Sequence, residues 1–128
     1  MKLEFNHAGI KCGDVEASLK FFTEVLGFEK DFEVEILGKR CVFVRLGKLL
    51  VELEEMKGKV TPPAAPPELG LSHLAFDVEN IEKTAEELKA RGAMFVIPPF
   101  QIRPTRKTAF IKGPEFVMIQ LVEDLPEK

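Results

Sequence analysis

The chain has 128 residues and a mass of 14.4 kDa, of which 45% are hydrophobic and 30% charged, with a formal net charge of −3. That is the size of one ordinary domain with ample apolar side chains for a core, so a second independent domain is not expected. The mild negative charge argues against duplex nucleic acid or an anionic lipid surface as partner, and no run approaches the roughly 18 apolar residues of a membrane span.

The N-terminal segment MKLEFNHAGIK turns polar too early for a signal peptide, which makes a cytoplasmic address the default expectation. Alternation makes residues 5–12 a strand, with Phe5, His7, Gly9 and Lys11 on one face and Asn6, Ala8, Ile10 and Cys12 on the other. Asp14 is a good N-cap for a helix carrying the apolar stripe Val15, Leu19, Phe22 and Leu26, and Gly27 suits a left-handed stop. Strands are then expected at Glu29–Ile36, Arg40–Leu46 and Leu49–Glu55, with turns at Gly38-Lys39 and Gly47-Lys48.

The segment Thr61–Gly70, TPPAAPPELG, has four prolines and reads as a stiff connector. After it the pattern starts again. HAGIKCGDVEASLKFF from His7 aligns without a gap on HLAFDVENIEKTAEEL from His73, pairing Ile10 with Phe76, Val15 with Ile81 and Phe22 with Leu88. Asn80 takes the place of the Asp14 cap, Ile81, Ala85 and Leu88 form the stripe, and Gly92 ends the helix. Strands follow at Met94–Ile97, Lys107–Ile111 and Phe116–Glu123. CVFVRLGKLLVEL pairs with AFIKGPEFVMIQL, which puts two extra residues in the middle loop of the second copy.

The fold class is therefore α+β: one domain, 1–128, made of two tandem βαβββ modules at 3–56 and 71–124, joined by the linker at 61–70. Neither module can cover both faces of its own sheet. Pairing, within the chain or with a second copy, is expected.

Strand parity turns His7 away from the helix-packed face, and His73 with it. Glu52 and Gln120 are equivalent in the fourth strands and face the same way. What separates these histidines from ordinary strand histidines is that the chain has only two, both at the same repeat position. Glu52 sits in the apolar setting VEL, where an unpartnered carboxylate would cost several kcal/mol to bury. Two imidazoles, a carboxylate and an amide oxygen make a candidate metal centre, open enough for water, that suits Ni, Co, Fe, Mn or Zn. Cys12 and Cys41 lack zinc-knuckle spacing and read as reduced, packed thiols. The segment QIRPTRK supplies Arg103, Arg106 and Lys107 in what reads as a loop ordered by Pro98, Pro99 and Pro104. With Arg45 these are candidate substrate-binding cations.

The stretches NHAGIKCGDVEASLKFFTEVLGF, VEL, GLSHLAFDVENIEKTAEELKARG and MIQLVE together resemble the vicinal-oxygen-chelate superfamily: glyoxalase I, methylmalonyl-CoA epimerase, extradiol dioxygenases, fosfomycin-resistance and bleomycin-binding proteins. The resemblance covers essentially the whole chain. It implies paired modules whose mixed sheets curl into a cup-shaped metal or ligand cavity, commonly in a homodimer. It also implies His7, Glu52, His73 and Gln120 as the ligands of one divalent ion. The catalytic members usually have Glu at the last position. Gln can offer an oxygen but cannot take a proton, so Glu52 would be the base. The first reading is a metal-dependent glyoxalase-like lyase or isomerase acting on a small molecule. The alternatives are a metal-free binding protein of the bleomycin-resistance kind and an Fe(II) extradiol-type dioxygenase.

Overall fold

A computed structural model of the chain describes residues 1–56 and 69–127. The proline-rich segment expected to be an extended connector falls almost wholly outside them. The chain forms two compact units, Met1–Ala64 and Ala65–Lys128, each of which is a four-stranded mixed sheet with one helix.

Unit one runs β1 (Ala8–Cys12), α1 (Val15–Lys20), β2 (Glu29–Ile36), β3 (Lys39–Leu46) and β4 (Leu49–Glu55). Its strands lie in the order β1-β4-β3-β2, with β1 parallel to β4 and the other neighbours antiparallel. Unit two repeats this as β5 (His73–Asp77), α2 (Ile81–Ala90), β6 (Phe95–Arg103), β7 (Arg106–Lys112) and β8 (Met118–Asp124), in the order β5-β8-β7-β6. The tandem βαβββ arrangement read from the repeat is the one observed.

Each helix starts where its cap residue dictates. Asp14 Oδ1 accepts from the Ala17 amide and Asn80 Oδ1 from the Lys83 amide, both at 3.0 Å. The helices then diverge. α2 is regular and buries Ile81, Ala85 and Leu88 as its stripe requires. α1 ends at Lys20 and widens into a π-turn over Phe21–Val25, where the Thr23 hydroxyl donates to the Leu19 carbonyl at 2.8 Å. The buried stripe is consequently Val15, Ser18 and Phe22, with Leu19 and Leu26 only partly covered. Gly27 and Gly92 take the left-handed conformation at the two ends, with φ of 82° and 96°.

The helix-side faces hold the core. Val42, Val44, Val51 and Leu53 in unit one, and Ala109, Ile111, Ile119 and Leu121 in unit two, are buried beneath the helices. An ion pair ties each helix to the third strand of its own sheet: Arg40 to Glu16, and Lys107 to Glu82 at 2.8 Å. Glu123 Oε1 also accepts from the amide of Ile81 at 2.7 Å, a carboxylate at a helix N-terminus.

Two expectations are corrected. QIRPTRK is not a long middle loop: β6 continues through Pro98 and Pro99 to Arg103 and turns tightly into β7 at Arg106. Prolines are tolerated there because β6 is an edge strand with irregular pairing around them. Nor do both extra residues lie in that connection. Phe43 pairs with Glu52 and Phe110 with Gln120, so the third strands match at an offset of 67 and the fourth at 68. One insertion therefore falls between β7 and β8, in a 3-10 turn at Pro114–Phe116, and β8 begins only at Met118. Among the described residues no helix is long and apolar enough to cross a membrane.

Candidate functional site

In unit one, the backbone register sets His7, Gly9 and Glu52 together. His7 immediately precedes β1, and Gly9 lies opposite Glu52 in the parallel pair β1–β4. A Cβ at Gly9 would stand 3.5 Å from Glu52 Oε1 and equally far from Glu54 Oε2, so a small residue here leaves the carboxylate room beside the imidazole. His7 Nε2 lies 3.5 Å from Glu52 Oε1, the His7 side chain being 37% exposed and that of Glu52 13%. The imidazole packs edge-on against Phe43, centroids 5.5 Å apart.

The opposite ring nitrogen defines the chemistry. His7 Nδ1 lies 2.7 Å from the side-chain oxygen of Asn6, which has no hydrogen to give, so Nδ1 carries the proton. Nε2 then faces a carboxylate oxygen. A ring nitrogen and a carboxylate oxygen at that distance are held by a positive charge, either a proton on the ring or a metal cation.

Unit two builds the same frame. His73 opens β5, Ala75 takes the place of Gly9 opposite Gln120, and the His73 ring packs edge-on against Phe110 at 6.2 Å. His73 Nδ1 lies 2.6 Å from the Ser72 hydroxyl. Gln120 Nε2 donates to Thr108 Oγ1 at 2.9 Å, and Thr108 Oγ1 donates to the Leu121 carbonyl at 2.9 Å. Thr108 occupies the position of Cys41, whose thiol is pushed up by burial and then by the Glu52 carboxylate.

Unit one thus brings His7 against Glu52, and unit two sets His73 and Gln120 on one face of adjoining strands. Among the described residues no three His, Cys, Asp or Glu side chains cluster. The donor chemistry in each unit fits a divalent cation: imidazole nitrogen and carboxylate oxygen in unit one, imidazole nitrogen and amide oxygen in unit two.

The four cations are placed unevenly. Arg45 shares the face of Phe43 and Glu52 but is paired with Asp31 at 2.8 Å. Arg106 shares the face of Gln120 and is paired with Asp124 at 2.8 Å, an interaction that raises the guanidinium's affinity for its proton and lowers the Asp124 carboxyl. Arg103 is exposed and opposite Arg106 in the hairpin. Lys107 alternates onto the helix side, where Glu82 holds it and raises its ammonium pKa.

Sequence reasoning missed Asn6, Ser72, Phe43, Phe110 and Thr108. Asn6 and Ser72 were in view as the residues before each histidine. The aromatic pair was hidden because an ungapped offset of 68 matches Phe110 with Val42.

A family profile matches residues 4–121 of this chain. The chain belongs to the glyoxalase/bleomycin resistance protein/dioxygenase superfamily. Two relatives in it are described as probable lactoylglutathione lyases. That of Vibrio parahaemolyticus is 28% identical over 130 residues, covering 92% of this chain and 88% of the relative. That of Synechocystis is 27% identical over 131 residues, covering 95% and 96%. The crystal structure of a glyoxalase family protein from Enterococcus faecalis superimposes with a TM-score of 0.79 at 28% identity, covering 94% of this chain and 97% of that one.

Proposed function

We propose that this superfamily member is a divalent-metal-dependent lyase or isomerase of the glyoxalase kind, acting on a small molecule that offers two neighbouring oxygens. The observation that carries the reading is the pair His7 Nε2 and Glu52 Oε1 at 3.5 Å, a ring nitrogen and a carboxylate oxygen close enough to share a cation. The relatives described as probable lactoylglutathione lyases support it. In this reading His7 and Glu52 from one module and His73 and Gln120 from the other would hold the ion. When bound, the ion would polarise a substrate carbonyl and so acidify the neighbouring carbon.

The residues do the rest. Glu52, as the only carboxylate of the four, takes the proton from that carbon and returns it to the adjacent one. Phe43 and Phe110 pack edge-on against the histidines and so restrict the turning of the rings. Arg45, Arg103 and Arg106 are the cations available for an acidic substrate tail, Arg45 and Arg106 by exchanging their carboxylate partners. The exposed apolar residues Phe32, Val34 and Ile36 of β2, and Ile97 and Phe100 of β6, support a substrate or second-copy surface there, as in a homodimer.

A metal-free binding protein is the second reading, favoured by one observation: the exposed apolar residues of β2 and β6 suit an apolar ligand. Elemental analysis of protein purified without chelators separates the two. About one divalent ion per chain, or one per shared site, is expected, with sharp loss in His7→Ala and in His73→Ala and none in Cys12→Ala. Unchanged metal content in His73→Ala would sink the shared site, and wild-type protein free of metal would leave the binding protein.

A further inference from the structure

We infer that Thr108 is a positioning residue that fixes Gln120 as a neutral oxygen donor and discriminates against a carboxylate at that place. The inference rests on the metal-site reading above for its purpose, but its geometry stands within unit two alone. Thr108 is fully buried, and its hydroxyl has a single hydrogen, which goes to the Leu121 carbonyl at 2.9 Å. Toward Gln120 the hydroxyl oxygen can then only accept. The end of the Gln120 side chain that meets it at 2.9 Å must be the amide NH2, which leaves the amide oxygen as the outward end. A half-buried amide that could otherwise present either end is thereby held with its metal-binding end free.

The corresponding place in unit one shows the contrast. There the third-strand neighbour is Cys41, a weak thiol donor whose bond to the Lys39 carbonyl is long, 3.8 Å, and the fourth-strand residue is Glu52. A thiol only loosely engaged with a backbone carbonyl stands beside the carboxylate in one module, and a hydroxyl firmly committed to one stands beside the amide in the other. A glutamate at 120 would turn its lone pairs onto the Thr108 oxygen unless that hydroxyl abandoned Leu121. The chain is therefore matched to glutamine here, and the candidate ligand set carries one negative charge, that of Glu52.

The test uses 15N-labelled full-length protein, first without metal. In wild type one side-chain NH2 proton of Gln120 should be protected from solvent exchange. Thr108→Val should lose that protection, and Thr108→Ser should keep it. Titration with Ni2+ should then show affinity falling about tenfold or more in Thr108→Val, the size of effect usual for groups that orient ligands, with recovery in Thr108→Ser. Because Thr108→Val alters a buried strand, a second comparison leaves the core volume nearly intact. The double variant Thr108→Cys with Gln120→Glu, which copies the Cys41–Glu52 pairing, should bind Ni2+ several-fold more tightly than Gln120→Glu alone. Unchanged protection in Thr108→Val, or equal affinity of the double and single Gln120→Glu variants, overturns the inference. Protection that follows Thr108 as stated, in proteins none of which binds Ni2+, upholds the positioning and rejects the metal centre instead.

Discussion

The two modules share a backbone plan and differ in what they place on it. Module one joins an imidazole to a carboxylate, His7 to Glu52, with Nδ1 of the histidine facing the Asn6 amide oxygen. Module two puts an imidazole and an amide at the same positions, and Nδ1 of His73 meets a hydroxyl, Ser72, that can give or take a hydrogen. Of the four candidate ligands the one carboxylate thus stands in the first module, while the second offers neutral donors. A duplicated fold can divide its labour this way because strand register fixes where side chains stand and leaves their chemistry to single residues.

The comparison breaks most decisively at Glu52. If module one supplies the base, Glu52→Gln should lower proton-transfer activity by about 10²–10⁴-fold while metal is at least partly retained, since an amide can replace the ligand but not the base. Assay of 2-oxoaldehyde–thiol and α-hydroxy-thioester substrates alongside metal content measures both. Full activity in Glu52→Gln would remove the base from module one.

A smaller effect is expected one residue before each histidine. Asn6→Ala frees His7 to move its proton to Nε2, so the 15N shifts of that ring in metal-free protein should report a mixture of tautomers. Ser72→Ala should change His73 less, since its partner imposes no single tautomer. Metal affinity should drop several-fold in Asn6→Ala. Identical responses of the two rings would erase the asymmetry claimed here.

The smallest effect concerns the helix clamps. Arg40 bridges Glu16 on α1 and Glu33 on β2, and Lys107 repeats the first of these contacts on Glu82. Hydrogen bonding to Arg40, then to Lys30, lowers the Glu33 carboxyl from its ordinary 4.5 to about 2. A depressed carboxyl stabilises the folded state above its unfolded value and loses that contribution as pH falls through the folded one. Arg40→Met should therefore unfold slightly more easily than wild type at pH 6, with the difference shrinking between pH 4.5 and about 2 and at high salt. Denaturant midpoints across that pH range give the answer. A difference that grows in acid contradicts the assignment.

The helix caps, the glycine stops and the order strand, helix, three strands were legible because they depend on local spacing, and the repeat stated them twice. Parity alone placed His7 with Glu52, and His73 with Gln120, on one face of each sheet. The hairpin through Pro98 and Pro99 was not legible, because proline forbids a central strand but permits an edge, and being an edge is decided by what lies alongside.

The amino-acid sequence by itself determined that this protein is a duplicated βαβββ unit with one histidine and one oxygen donor per copy, because side-chain alternation and helix periodicity are properties of the chain alone. Only the tertiary structure decided which third-strand residues stand beside those donors. The one-residue shift between β3 and β7 brings Phe110 under His73 and Thr108 against Gln120, and sends Lys107 to the helix side to repeat Arg40. The reason is physical: hydrogen-bonded register is chosen by the sum of all pairings in a sheet, and an insertion in one turn moves every side chain beyond it.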